Sequence, residues 1–195
     1  MTPPIQSTLP GAATDVACLR LLSRDDLHRE SQLSLFQRVL LVTDGSVTEL
    51  LSLYTKGAIR AHKLTQSESM GPLPAPLGGP GVSPHTAALH REIMLMDGQT
   101  PLVFAASVFV LDALSPTTRA GLLESEVPIG LLWKAEKSEM YREIVDMRIE
   151  THPTVAARFG LPTATPLLSR SYTLHQAGQP MGLITEKFPA TSFQN

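Results

Sequence analysis

A single cysteine, Cys18, rules out an intrachain disulfide and a multi-cysteine metal centre, and it suits a reducing compartment. A lone free thiol is ordinarily a small apolar core residue rather than a nucleophile, and Cys18 is read that way. Neither sign of charge is in excess: a net charge of -2 and a pI near 6.3 give no global attraction to nucleic acid or an anionic membrane. Any anion has to be caught locally. No apolar run approaches the roughly 20 residues of a spanning helix; the longest, Pro101 to Leu111, is interrupted by Ser107. Met1 to Ala13 lacks a basic stretch followed by an apolar one, so no secretory leader is expected and the protein is expected to be cytoplasmic. The histidines show no H-x-x-x-H spacing and no glycine motif cradles a phosphate, so neither metal nor nucleotide is implied. Ser83, Ser107 and Ser115 lack the context of a nucleophile elbow.

What remains is a chain built to bury a core. With 43% hydrophobic against 17% charged residues it belongs with globular rather than disordered chains, and its 195 residues suit one domain. Met1 to Thr14, with three prolines, reads as a loose tail ahead of a domain over 15–195. Helical spacing of Val16, Leu19 and Leu22, and later of Leu33, Leu35 and Phe36, predicts a helical lead-in from Asp15. Val39 to Val42 is a short apolar run ended by Asp44-Gly45. Ser46-Val47-Thr48-Glu49 is a capping box that starts a helix through Tyr54, which Gly57 ends, and Ala58 to Leu64 alternates like a strand. Gly71 to Pro84 holds five prolines and four glycines in fourteen residues. Neither helix nor central strand can run through it, so it is a long loop, either a flap over a pocket or a surface connection.

Two hairpins follow. Leu89 to Met96 and Pro101 to Val110 flank the turn Asp97 to Thr100; Leu167 to Gln176 and Met181 to Phe188 flank Ala177 to Pro180. Arg91-x-x-x-Leu95 before Gly98-Gln99 is echoed by Arg170-x-x-x-Leu174 before Gly178-Gln179, a weak internal repeat. Between them, Ser115-Pro116 opens a helix, Ser138 to Glu150 favours a strand, and Pro153 to Phe159 is a short helix stopped by Gly160. The class is α+β: one antiparallel sheet with helices on one face.

Strand alternation places charges where they are costly. Leu89, Arg91, Ile93 and Leu95 share one face, and Gly182, Ile184, Glu186 and Phe188 share another. An inward charge costs several kcal/mol unless it meets a partner or a ligand. Arg91 and Glu186 either neutralise each other across the hairpins or hold two ends of one small ligand, Arg91 clamping a carboxylate and Glu186 meeting a hydroxyl. Arg170, on a face with Leu168, Tyr172 and Leu174, is a third inward candidate that could also reach solvent from its strand start.

At these residues the chain resembles the chorismate pyruvate-lyases, or 4-hydroxybenzoate synthases. The stretches that carry the resemblance are Thr43-Asp44-Gly45-Ser46-Val47-Thr48, Leu89-His90-Arg91-Glu92-Ile93-Met94-Leu95, Val127-Pro128-Ile129-Gly130, and Gly178-Gln179-Pro180 leading to Leu183-Ile184-Thr185-Glu186-Lys187-Phe188-Pro189. They agree in order and spacing over roughly residues 39 to 190. The resemblance implies a chorismate lyase-like α+β fold, a single antiparallel sheet flanked by helices with a pocket buried under flaps. It also implies a cofactor-independent carbon-oxygen lyase that converts chorismate to 4-hydroxybenzoate and pyruvate, a step of quinone biosynthesis, and acts as a monomer or weak homodimer. Arg91 would hold the ring carboxylate and Glu186 the 4-hydroxyl, while Val47, Ile129 and Gly130 line the pocket and Arg170 joins the binding set. For the second carboxylate the candidate cations are Arg170, Arg142 and Lys187. Effector-binding domains of GntR-type regulators share this fold, and Ala156-Ala157-Arg158-Phe159-Gly160-Leu161-Pro162 with Gly178-Gln179-Pro180 resembles them. That implies an alternative, a non-catalytic aromatic-acid sensor. The amino-terminal region is too short and too little basic for a DNA-reading module, so no nucleic-acid partner is expected.

Overall fold

The computed structural model describes residues 16–29, 32–78, 83, 85–124 and 127–194. The tail expected over 1–14 lies outside the described residues. Strands β1 (Ala17–Leu21), β2 (Ile59–Gly71), β3 (Thr86–Asp97), β4 (Thr100–Val110), β5 (Tyr141–Thr151), β6 (Pro166–Gln176) and β7 (Gln179–Pro189) form one antiparallel sheet in the order β1-β5-β6-β7-β4-β3-β2. The expected α+β class and both hairpins are present. Each half is a meander, β2-β3-β4 and β5-β6-β7, and the halves meet where β4 pairs with β7. The repeat seen in the sequence is therefore a structural one: Arg91 and Arg170 sit on equivalent strands, opposite Ser107 on β4 and Glu186 on β7 respectively.

The helices are α1 (Arg24–Arg29), α2 (Leu35–Val42), α3 (Val47–Thr55), α4 (Pro116–Glu124), α5 (Ile129–Glu136) and α6 (Pro153–Arg158). The lead-in departs from expectation, because its start is the edge strand β1 rather than a helix. Pairing with β5 and the bond from Leu22 N to Met147 O impose extension on a segment whose spacing alone reads as helical. All five β1 residues are exposed, Cys18 among them, so Cys18 is a surface thiol and not a core residue. The Val39–Val42 run belongs to α2, opened by a capping box between Ser34 and Gln37. Gln37 also donates to Ala190 O at 2.9 Å and Ser192 O at 2.6 Å, tying the C-terminal segment to this helix. Strand β2 runs seven residues past Leu64 to Gly71, because β3 offers it a partner as far as Thr86.

Two apolar clusters share one face of the sheet. Leu95, Val103, Leu168 and Phe188 pack under α2 and α3, and Leu89, Phe109, Tyr172 and Leu174 pack under α4 and α5. The expectation of helices on one face needs correction for α6. Its Val155 joins Met94, Phe104 and Leu167 on the opposite face. The loop after β2 goes there too: Leu77, 1% exposed, packs on Ala88, Val108 and Leu183. Its described part therefore covers the sheet face away from Arg91 and Glu186, which is not where a flap over them would lie.

A close approach under α5 shows how tightly the first face is filled. A Cβ on Gly182 would stand 2.7 Å from Cδ1 and 3.0 Å from Cε1 of Phe109, whose ring meets Trp133 edge-on at 6.4 Å. Gly182→Ala is expected to cost about 1–3 kcal/mol by overpacking, read as a lower midpoint in urea unfolding.

The C-terminus of α5 is bolted to the N-terminus of α4. Glu136 accepts from Thr118 Oγ1 at 2.6 Å and from Ser115 Oγ at 2.7 Å, and these hydroxyls hold its carboxyl below the ordinary value of 4.5. A depressed carboxyl stabilises the fold above its ordinary value and stops doing so as pH falls through the depressed one. Glu136→Gln should therefore be less stable than the parent at pH 7, with the gap closing as pH drops below 4.5; denaturant melts across that range test it.

Candidate active site

Between the helix pairs α2–α3 and α4–α5 lies a pocket whose empty space, open mouth included, is ≈ 620 Å³. Its floor is the sheet. Alternation brings Arg91 and Ile93 from β3, Ala105, Ser107 and Phe109 from β4, Ile184 and Glu186 from β7, Tyr172 from β6 and Arg142 from β5 onto one face. Its roof is made of two helix beginnings, Gly45 to Thr48 at α3 and Pro128 to Gly130 at α5, with Trp133 one turn further in.

Both roof segments are held in place. Ser46 caps α3 by accepting from Glu49 N at 3.3 Å. Carbonyls of the preceding loop are gripped from below: Arg170 Nη1 donates to Thr43 O at 2.7 Å and Arg142 Nη1 to Asp44 O at 2.6 Å. An exposed ion pair between Lys134 and Glu49 links α5 to α3. Helix α5 has Pro128 at its N-cap and no side-chain cap, and its first residues, Ile129 and Gly130, line the pocket.

The expected site residues can now be located. Arg91 is 3% exposed and lines the pocket, as do Val47, Ile129, Gly130 and Glu186. The ionic partner of Glu186 is Arg170 rather than Arg91, with Arg170 Nε donating to Glu186 Oε2 at 2.7 Å. Arg170 is 1% exposed, so the reading in which it reaches solvent is corrected; it sits behind Glu186 and outside the pocket lining. Burial opposes its charge, but Glu186 and then Tyr172 more than offset this and raise its pKa above the ordinary guanidinium value. Lys187 points to the other face, where it contacts buried Glu150 and donates to Ser169 Oγ at 3.3 Å. It cannot serve this pocket.

Tyr172 was not singled out from sequence, although it shares the face of Arg170. Its hydroxyl donates to Glu186 Oε1 at 3.2 Å, and its ring lies under the Arg170 guanidinium at 5.0 Å. Burial first, then the nearby Glu186 charge, push its phenol well up, so it remains a donor throughout the working pH range. Each carboxylate oxygen of Glu186 thus has one donor and keeps a lone pair for a ligand. The arrangement suits a planar ring with an anionic group at one end and a hydroxyl at the other, gripped by apolar walls.

Among the described residues no group of histidine, cysteine or carboxylate side chains is placed to hold a metal, and no helix is long and apolar enough to cross a membrane.

In the curated set, the chain is 27% identical over 182 residues to the chorismate pyruvate-lyase of Mycobacterium leprae (strain TN), covering 90% of this chain and 83% of that one. Among solved structures it is similar to the effector domain of PhnF from Mycobacterium smegmatis, with TM-score 0.58, 15% identity, and coverage of 76% of this chain and 90% of that one. It is also similar to a GntR-family transcriptional regulator from Enterococcus faecalis V583, with TM-score 0.53, 10% identity, and coverage of 68% and 95%. Likeness at these identities establishes the fold alone, and it is the chorismate lyase-like fold shared with GntR effector domains. The model of the Rv2949c-like chorismate pyruvate-lyase family matches residues 41–194, a span that contains both roof segments and every strand of the pocket floor, and the chain belongs to that family.

Proposed function

We propose that the protein is a chorismate pyruvate-lyase that eliminates pyruvate from chorismate to leave 4-hydroxybenzoate. The observation that carries this reading is that one pocket is lined by both buried Arg91 and the Glu186 carboxylate, which Arg170 and Tyr172 hold from behind. Arg91 takes the ring carboxylate, and Glu186 accepts from the 4-hydroxyl through its remaining lone pairs. The backbone N–H groups at Val47 and Ile129 add dipoles at the roof. Ile93, Ala105 and Ile184 lie against the ring and exclude water.

The reaction asks little more. The C4 proton leaves, its electron pair becomes the new ring double bond, and the C3–O bond breaks with its pair moving to the oxygen of the departing enolpyruvate, which takes up a proton at its methylene carbon to become pyruvate. Aromatisation drives this without a cofactor, and the protein contributes orientation and fixed charge. Glu186, beside the 4-hydroxyl, is the group nearest the departing C4 proton in this placement and is positioned to assist its removal.

Incubation with chorismate should release pyruvate and 4-hydroxybenzoate in equal amounts, followed by a coupled lactate dehydrogenase assay and by absorbance. The fold of GntR effector domains favours one rival, a sensor that binds the aromatic acid unchanged. Tight 4-hydroxybenzoate binding with no pyruvate release would establish the sensor and end the lyase reading.

A further inference from the structure

Chorismate carries two carboxylates, and the pocket floor offers a second cation. Among the described lining residues Arg91 and Arg142 are the only positively charged ones. The other candidates are spoken for: Arg170 is committed to Glu186 and Thr43 O, and Lys187 lies on the far face of the sheet with Glu150. We infer that Arg142 binds the enolpyruvyl carboxylate of chorismate, an assignment that rests on the lyase reading of the same pocket.

The strands beside Glu186 offer the C3 substituent a side of the pocket that carries Arg142. Going from β3 through β4, β7 and β6 to β5, the floor presents Arg91, Ser107, Glu186, Tyr172 and Arg142. On chorismate the ring carboxylate lies para to the 4-hydroxyl, and the enolpyruvyl group stands on the next carbon, C3. With the ring carboxylate on Arg91 and the hydroxyl on Glu186, the C3 substituent leaves the ring sideways at the hydroxyl end, and one of the two sides it can take faces β6 and β5. That side is where Tyr172 and then Arg142 lie. Arg142 spends one N–H on Asp44 O at 2.6 Å, which leaves most of its donors unspent among the described residues. The same bond fixes the guanidinium under the roof, so little side-chain freedom is lost when a carboxylate arrives.

The product 4-hydroxybenzoate has only the ring carboxylate, and this separates Arg142 from Arg91. In Arg142→Gln, kcat/KM for chorismate should fall roughly 10- to 100-fold, the effect of removing one charged hydrogen-bond donor. The Kd for 4-hydroxybenzoate should stay within about twofold of the parent, since Arg91 and Glu186 still hold the ring. Arg142→Lys should recover part of the loss by restoring the charge without the fork. Two results would overturn the inference: unchanged kcat/KM for chorismate, or an equal loss of 4-hydroxybenzoate affinity, which would mean that Arg142 acts only by holding Asp44. If the parent protein releases no pyruvate, the lyase reading fails by itself. Equilibrium binding of intact chorismate against 4-hydroxybenzoate then tests Arg142 in the same way.

Discussion

Replacing Arg91 by alanine should lower kcat/KM for chorismate by roughly 10²- to 10⁴-fold, because the ring carboxylate would enter the pocket without its counter-charge, at a cost of about 3–5 kcal/mol. The side chain is buried, and it approaches the pocket from β3, which is paired on both sides by β2 and β4. The backbone ladder therefore holds the strand in place whichever residue stands at 91. Affinity for 4-hydroxybenzoate should fall by a similar factor, in contrast to changes at Arg142, because this carboxylate is common to substrate and product. Arg91→Lys should recover only part of the loss, since an ammonium cannot reproduce the two parallel bonds of a guanidinium. An alanine variant with undiminished turnover would remove Arg91 from the site while leaving the reaction itself open.

A comparable effect, on stability rather than turnover, is expected at Arg170. Arg170→Met leaves Glu186 buried with Tyr172 as its one remaining donor and releases Thr43 O from its bond. An uncompensated buried charge costs about 3–5 kcal/mol. For a chain of this size that corresponds to a fall in Tm of roughly 6–20 °C. The double variant Arg170→Met/Glu186→Leu removes both charges, and it should regain most of the lost stability while remaining inactive. Calorimetry on the two variants, beside a pyruvate assay, separates the roles. If the double variant is no more stable than the single one, the Arg170–Glu186 pair is not the source of the loss.

How far the sequence anticipated this site depended on whether the cause was local. Arg91 and Glu186 were legible because both stand on strands whose alternation is set within a few residues and whose turns carry glycine at Gly98 and Gly178, each with positive φ. Lys187 was named as a candidate cation for the pocket, although parity puts it with Leu183 and Thr185 on the other face, where it meets Glu150. Arg170 was read as able to reach solvent because the group that buries it, the Thr43 carbonyl, lies 127 residues away in the chain. Strand β1 was hidden for a different reason. With all five residues exposed, neither face is buried, and only backbone pairing to β5 makes it a strand. Helix α5 was seen only as the motif Val127 to Gly130, whose residues from Pro128 on form the helix start, and α6 was placed on the wrong face because periodicity does not say which side of a sheet a helix will cover.

The seam between the two meanders makes the ligand a fastener. Arg91 belongs to the first meander and Glu186 to the second, while β4 and β7, running from Phe104 to Phe109 against Gly182 to Lys187, supply the sheet pairing between them. A molecule held by both residues cross-links the halves, so its binding free energy is added to any opening that parts β4 from β7 and to none that merely frays a hairpin turn. Occupancy would then be written into the amide exchange of those two strands, turning the centre of the sheet into the part of the protein whose slow breathing records the concentration of its ligand.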